Sequence, residues 1–154
     1  MSMVYLFDWG DTLMEDFPDA KGKMCDWVEV QAIDGALAAL SHLSQNHVVY
    51  IATGAADSQV ADIQKAFSRV GLDQFIDGYF CQQNLGVGKD DERFFPIILK
   101  QLQCAPADIT MVGDSLERDI KPALKAGMQA LWYNPKHLPL ADIQQIKSLT
   151  ELIP

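Results

Sequence analysis

Carboxylate, hydroxyl and amine side chains stand at four separated places in the sequence where they could act on one substrate. Asp8 and Asp114 each follow an apolar run, Thr53 closes another, and Lys89 lies beyond a fourth. A carboxylate can attack phosphorus, a divalent cation can bridge carboxylates and phosphate oxygens, and a hydroxyl with an ammonium group can hold the remaining charge. Oxygen ligands favour Mg²⁺ over zinc or copper. The set therefore indicates phosphoryl transfer.

The elements that must position these residues are short apolar runs that alternate with helical patterns. Strands are predicted over residues 3–7, 48–52, 79–81, 109–112 and 130–133. Helices are predicted from Asp34 as N-cap to about Gln45, from Asp57 or Ser58 to Gly71, from about Asp91, and over residues 119–126. The apolar tail, residues 143–152, is expected to pack on an edge of the sheet.

Alternation of strands and helices predicts an α/β fold with a central parallel sheet of about five strands and helices on both faces. In such sheets, ligands bind outside the carboxyl ends of the strands. The chemistry is therefore expected just after residues 7, 52, 81 and 112. This geometric expectation does not depend on any motif.

Four segments at these strand ends resemble the four motifs of the haloacid dehalogenase superfamily, whose members share a Rossmann-like three-layer sandwich and are mostly Mg²⁺-dependent phosphatases. The order and spacing agree from about residue 3 to 152. The matching segments are FDWGDTL at residues 7–13, YIATG at 50–54, GVGK at 86–89, and MVGDSLERDI at 111–120 followed by AGM at 126–128.

The resemblance implies a phosphohydrolase, acting on phosphoric monoesters or acyl phosphates, that works through an aspartyl-phosphate at Asp8. It implies that Thr53, Gly54 and Lys89 bind the transferring phosphoryl group. It also implies an Mg²⁺ ion, held by four residues, with the last bound directly or through water: Asp8, Gly10 through its backbone carbonyl, Asp114 and Asp119.

The chain departs from the family's pattern at Gly10, where the phosphatases usually carry a second aspartate that protonates the leaving oxygen and later helps water attack. Such general acid–base help is commonly worth about 10²–10⁴-fold in rate. Three hypotheses stay open. Asp11 substitutes for the missing acid; or the leaving group needs no acid, as in an acyl or aryl phosphate; or the protein is a non-catalytic or phospho-accepting binding or regulatory module.

The segment between the first strand and the first helix is too short for a cap domain. Residues 14–32 are therefore predicted to form a short flap or loop in place of a cap. An open site suits a phosphorylated small molecule, a phosphoprotein, or a homo-oligomer in which a neighbouring subunit serves as the lid. Phe17 and Trp27 would either wall the site or cover the edge of the core.

Composition narrows the class of protein further. The 154 residues fit a single domain, and 49% hydrophobic residues are enough to form a core. A net charge of −9 argues against nucleic-acid binding, and no apolar run is long enough to cross a bilayer. Residues 1–10 show no secretory signal pattern. Three widely spaced cysteines are typical of reduced thiols in a cytoplasmic protein.

Overall fold

A six-stranded, all-parallel sheet forms the centre of the computed structural model, which describes residues 3–140 and 142–154; residues 1 and 2 of the predicted domain lie outside that part. The strand order is β3-β2-β1-β4-β5-β6. The strands are β1 Val4–Phe7, β2 Val48–Ala52, β3 Gly78–Phe80, β4 Ile109–Gly113, β5 Gln129–Tyr133 and β6 Gln145–Ile146. The predicted α/β class and parallel sheet are confirmed, and the apolar tail adds a sixth strand at the edge.

The register of the central strands aligns their carboxyl ends. Phe7 of β1 pairs with Ile51 of β2 on one side and with Val112 of β4 on the other. All five residues of β4 are buried, as expected of a strand covered on both faces. The residues that follow β1, β2 and β4 therefore emerge side by side at one edge.

Helices cover both faces of the sheet and complete the predicted three layers. The helices are α1 Ala36–Leu43, α2 Val60–Ser68, α3 Gln82–Leu85, α4 Phe94–Leu102 and α5 Lys121–Lys125. On one face, Leu40 of α1 and Phe67 of α2 lie in a single buried cluster with Phe7. On the other face, Ile98 of α4 and Ala123 of α5 are buried with Leu6.

Two helix starts differ from the prediction. Asp34 is not the N-cap of α1, because Gly35 takes that position in a left-handed conformation with φ 86°. Neither Asp57 nor Ser58 caps α2. Gln59 does so, and its backbone N–H donates to Oδ2 of Asp62 at 2.9 Å, which is a capping-box arrangement.

The later helices also begin elsewhere than expected. Helix α4 starts at Phe94, because the Asp91 carboxylate accepts hydrogen bonds from the backbone and side chain of Arg93 and forms a turn before the helix. Asp119 does not begin a helix. It lies inside a π-helical turn, Leu116–Ile120, that leads into α5.

The segment over residues 14–32 contains one short 3₁₀ helix, Met24–Asp26. Side chains from α2 and its C-cap residue hold this segment in place: Asp62 pairs with Lys23 at 3.0 Å, and Arg69 donates to the Trp27 carbonyl at 2.6 Å. The Trp27 ring packs near Phe17, with ring centroids 6.1 Å apart. Among the described residues, no helix has the length and apolarity needed to span a membrane.

Candidate active site

A cleft of about 510 Å³ opens at the carboxyl edge of the sheet. Strand ends β1, β2 and β4 deliver Asp8, Thr53 and Asp114 to it, and the loop after α3 delivers Lys89. The lining also includes residues that follow β1, β2 and β4, namely Gly10, Asp11, Asp16, Met24, Trp27, Gly54, Ser115, Arg118 and Asp119.

Lys89 is the buried cation of this cleft, with only 2% of its side chain exposed. Its Nζ donates to Oδ1 of Asp8 at 2.8 Å and lies 2.6 Å from Oδ1 of Asp119. The left-handed Gly86 ends α3, and the buried Val87 anchors the following loop. The loop therefore turns back toward the sheet and carries the ammonium group between two carboxylates.

Thr12 joins the two carboxylates that follow β1 and β4. Its buried hydroxyl lies 3.3 Å from Oδ2 of Asp8 and 3.2 Å from Oδ1 of Asp114. The Asp114 backbone is held separately, since the indole Nε1 of Trp132 donates to its carbonyl at 2.9 Å. Both contacts fix the position of Asp114 relative to Asp8.

The Asp119 side chain is almost completely buried, with 1% exposure. It packs against Gly113, where a Cβ would overlap its carboxylate. Oδ2 accepts the Ser115 backbone N–H at 3.1 Å. Oδ1 forms an ion pair with Nζ of Lys89 at 2.6 Å and has no other donor among the described residues. A carboxylate oxygen has more than one lone pair, so this oxygen could also coordinate a cation.

Charge crowding sets the ionisation of these groups. Burial would raise the pKa of Asp8, but the charge of Lys89, together with hydrogen bonds from Asp114, Lys89 and the Trp9 backbone, holds that pKa below its usual range. Burial, followed by the nearby Asp8 and Asp119, raises the pKa of Asp114 to about 7. Burial also raises the pKa of Asp119, which Lys89 only partly offsets. Asp8 is thus the carboxylate kept ionised.

The three carboxylates fit a divalent cation. Asp8, Asp114 and Asp119 each offer an oxygen, and these oxygens lie within 4.8 Å of one another. Three carboxylates next to a single lysine leave excess negative charge, and hard oxygen donors are the ligands Mg²⁺ prefers. Burial, Asp8 and Asp119 raise the pKa of Asp114, and a bound divalent cation would offset this crowding of negative charge.

Thr53 and Gly54 line the same cleft as these carboxylates. Thr53 is 4% exposed, and its Oγ1 accepts the Ala55 N–H at 3.1 Å, so the hydroxyl proton is free to donate. The Arg118 guanidinium lies against Gly54, where a Cβ would collide with it. Among the described residues, Arg118 forms no ion pair. The sequence reasoning missed it, although it directly precedes Asp119.

The turn after β1 carries two further acids. Asp11 adopts a left-handed conformation with φ 61°, and its Oδ1 accepts the Asp16 backbone N–H at 3.1 Å. Asp16 lines the cleft, and a Cβ on Gly10 would lie 3.5 Å from its Oδ2. Partial burial, then the charges of Asp11 and Asp8, raise the pKa of Asp16. Sequence reasoning missed Asp16, because no periodicity or motif marks it.

A sequence profile of the haloacid dehalogenase-like hydrolases matches residues 8–127, which includes every strand end that lines the cleft. The chain belongs to this family. Within the family, the chain is 30% identical over 128 residues to the HAD-hydrolase YfnB of Bacillus subtilis, covering 79% of this chain and 53% of YfnB. It is 32% identical over 111 residues to the pyrimidine 5'-nucleotidase PynA of Streptococcus pneumoniae, covering 70% of this chain and 45% of PynA.

The fold of this chain also resembles the crystal structure of magnesium-bound YfnB. The superposition gives a TM-score of 0.79 at 20% identity and covers 98% of this chain and 96% of that chain. By sequence, the chain spans about half the length of the curated relatives it matches.

The residues that the family's motifs single out do meet in one place. Asp8, Asp114 and Asp119 converge with Lys89, and Thr53, Gly54 and Gly10 line the same cleft. Asp11 also borders the cleft, but its carboxylate is engaged with the Asp16 backbone.

Proposed function

We propose that the protein is a Mg²⁺-dependent phosphohydrolase that works through an aspartyl-phosphate at Asp8. The observation that carries this proposal is the pairing of Lys89 with Asp8 at 2.8 Å beside two further carboxylates. Lys89 keeps Asp8 ionised and fixes one of its oxygens. The other oxygen is then available as the nucleophile toward phosphorus.

The remaining residues of the cleft would bind the phosphoryl group. Lys89 and the Thr53 hydroxyl donate to its oxygens, and the Gly54 backbone allows close approach. Arg118, which lies against Gly54, adds a second positive charge at the mouth of the cleft. Charge-assisted hydrogen bonds of this kind stabilise the charge of the transferring group.

The cation site would be formed by Asp8, Asp114 and Asp119 together with the Gly10 carbonyl. A bound Mg²⁺ would neutralise phosphate charge and orient the phosphoryl group in line with the nucleophile. The donor set and the excess negative charge support this assignment, as does the magnesium in the YfnB crystal structure.

We further propose that the chain acts without a cap over the site. The segment 14–32 contains a single short helix, and the Trp27 ring borders the cleft. An open cleft suits a phosphorylated small molecule or a phosphoprotein as substrate, and the nucleotidase activity in PynA's name favours a small phosphate ester. Cytoplasmic location and assembly with a second copy stay predictions.

The direct test measures phosphate release from acetyl phosphate, 4-nitrophenyl phosphate and a panel of phosphorylated metabolites, with and without Mg²⁺. We expect Mg²⁺-dependent turnover that Asp8→Asn lowers by at least about 10³-fold. Asp19→Asn, an acid in the exposed part of the 14–32 segment, serves as the matched control and keeps wild-type activity. Equal turnover by Asp8→Asn, or none by the wild type across the panel, contradicts the proposal.

The absence of a side chain at Gly10 favours a second candidate, a phospho-accepting module that holds the aspartyl-phosphate as a signal. Both candidates predict phosphorylation of Asp8, so the lifetime of the phosphoenzyme separates them. Mass spectrometry of the intact protein after exposure to acetyl phosphate would show a persistent phosphoryl group for the module. It would show a fleeting one, with continuous phosphate release, for the hydrolase. Tight binding of beryllium fluoride without turnover would also favour the module.

A further inference from the structure

The space beside Gly10 is filled by another acid of the same turn. A Cβ built on Gly10 would lie 3.4 Å from the Asp16 Cβ and 3.5 Å from its Oδ2. An aspartate at position 10 would extend its carboxylate from that Cβ into the same region. The Asp16 carboxylate therefore occupies the neighbourhood in which a carboxylate two residues after the nucleophile would lie.

The turn holds Asp16 in this place through its backbone. Asp11 Oδ1 accepts the Asp16 N–H at 3.1 Å, Gly10 forms a bridge with Met14, and the Glu15 N–H donates to the Gln31 carbonyl at 2.8 Å. These contacts leave the Asp16 carboxylate without a hydrogen-bond or ion-pair partner among the described residues. It faces the cleft that Asp8 also lines.

We propose that Asp16 is the acid–base catalyst of this chain, taking the part that Gly10 cannot play, while Asp11 is a positioning residue that orients it. The inference rests on the phosphohydrolase function proposed above. It replaces the hypothesis that Asp11 itself substitutes, because Oδ1 of Asp11 already accepts the Asp16 N–H and thereby positions Asp16.

In the first step, an Asp8 oxygen forms a bond to phosphorus as the bond from phosphorus to the leaving oxygen breaks. The Asp16 carboxylic acid gives its proton to that oxygen, which leaves as an alcohol. In the second step, the Asp16 carboxylate takes a proton from water while the water oxygen attacks the phosphorus of the aspartyl-phosphate. Inorganic phosphate departs, Asp8 is a free carboxylate again, and Asp16 is again protonated.

The test compares leaving groups, because an acid matters most for a leaving group that is a strong base. With saturating Mg²⁺, rapid-quench measurements follow phosphoenzyme formation from an alkyl phosphate and from acetyl phosphate in wild type, Asp16→Asn and the control Asp19→Asn. We expect Asp16→Asn to slow phosphorylation by the alkyl phosphate about 10²-fold and by acetyl phosphate less than about threefold. Its phosphoenzyme should accumulate from acetyl phosphate, because formation from that donor stays fast while hydrolysis slows.

Two outcomes overturn the inference: equal rates for Asp16→Asn and wild type with both donors, or an equal loss with both donors. The second outcome would mean that Asp16 affects binding or the position of Asp8. If instead the wild type forms no phosphoenzyme from any donor, the phosphohydrolase proposal itself fails. These results are therefore distinguishable.

A relocation experiment gives an independent check. Adding Gly10→Asp to the Asp16→Asn variant places the carboxylate on the other side of the same space, with its Cβ in ordinary contact with residue 16. We expect the double variant to form the phosphoenzyme from the alkyl phosphate at least about tenfold faster than Asp16→Asn alone. No recovery, in a variant whose melting temperature matches the wild type, would count against a shared location.

Discussion

Lys89 Nζ and Asp8 Oδ1 lie 2.8 Å apart, with 2% and 15% of their side chains exposed. A lysine so deeply buried costs solvation energy that its partners must offset. Asp8 and Asp119 supply that compensation and together raise the pKa of Lys89 against the effect of burial. The Lys89–Asp8 ion pair is thus part of the proposed chemistry and also stabilises the fold at the carboxyl edge of the sheet.

Removal of the Lys89 ammonium group is expected to destabilise the fold. Lys89→Met leaves two carboxylates facing each other without compensation, and we expect the free energy of unfolding to fall by about 3 kcal/mol, at the low end for a broken buried pair because Asp8 retains some exposure. Urea denaturation measures this. Adding Asp119→Asn should recover part of the loss, whereas Lys121→Met, which breaks an exposed ion pair, should cost less than about 1 kcal/mol.

The ionised Asp114 carboxylate is expected to destabilise the metal-free protein while providing a ligand for the cation. Its pKa is raised to about 7 in the folded protein, so its contribution to stability is present at low pH and is lost as the pH rises through about 7. Without metal at pH 8, Asp114→Asn should therefore melt about 3 °C or more above the wild type. The difference should shrink as the pH falls below 7 and vanish only near pH ~4, the ordinary pKa of an aspartate. Mg²⁺ should raise the melting temperature of the wild type only. A metal-free Asp114→Asn that melts below the wild type at pH 8 would contradict this account.

Trp132 is expected to act on the cation site through Asp114. Trp132→Phe keeps the buried ring but removes the donor to the Asp114 carbonyl, so the carboxylate is held less firmly. Loss of such a supporting contact commonly weakens metal binding by about 10–100-fold. We expect calorimetric titration to show that Trp132→Phe binds Mg²⁺ about tenfold more weakly than the wild type. Trp27→Phe is the matched control, since its indole donates to the Gly22 carbonyl instead. Unchanged affinity in Trp132→Phe would exclude a positioning role.

Arg118 is expected to contribute to substrate binding rather than to the fold. Its side chain is exposed and lies against Gly54, so Arg118→Gln should leave the melting temperature unchanged. Loss of one charge-assisted contact to phosphate should raise KM by about tenfold, with kcat within about threefold. Lys121→Gln, a neighbouring exposed cation, provides the comparison. An equal fall in kcat would instead assign Arg118 to the transition state.

The strand ends could be read from the sequence because parallel sheets obey a simple geometric rule. Apolar runs before Asp8, Thr53 and Asp114 predicted strands, and the carboxyl ends of parallel neighbours meet at one edge. The observed register confirms that these three residues follow paired strand ends. The two-residue strand β6 was too short to leave a pattern, so the tail was predicted only to pack on an edge.

The position of Asp16 could not be read in the same way. It depends on the left-handed conformation of Asp11 and on bridges within an irregular segment that shows no periodicity. Asp119 was expected at the start of a helix, yet it lies inside a π-helical turn, because the apolar pattern of residues 119–126 does not distinguish the two. Side-chain contacts across loops depend on backbone angles that residue types alone leave open.

The close fit of Asp119 against Gly113 has a consequence for how this protein can vary. Even a single methyl group at residue 113 would collide with the carboxylate and force it out of the cluster. In a saturation mutagenesis screen for activity, we therefore expect every replacement of Gly113 to be inactive, as expected for a catalytic residue, although the side chain of glycine is only a hydrogen atom. Alanine there should abolish function while β4 itself still forms.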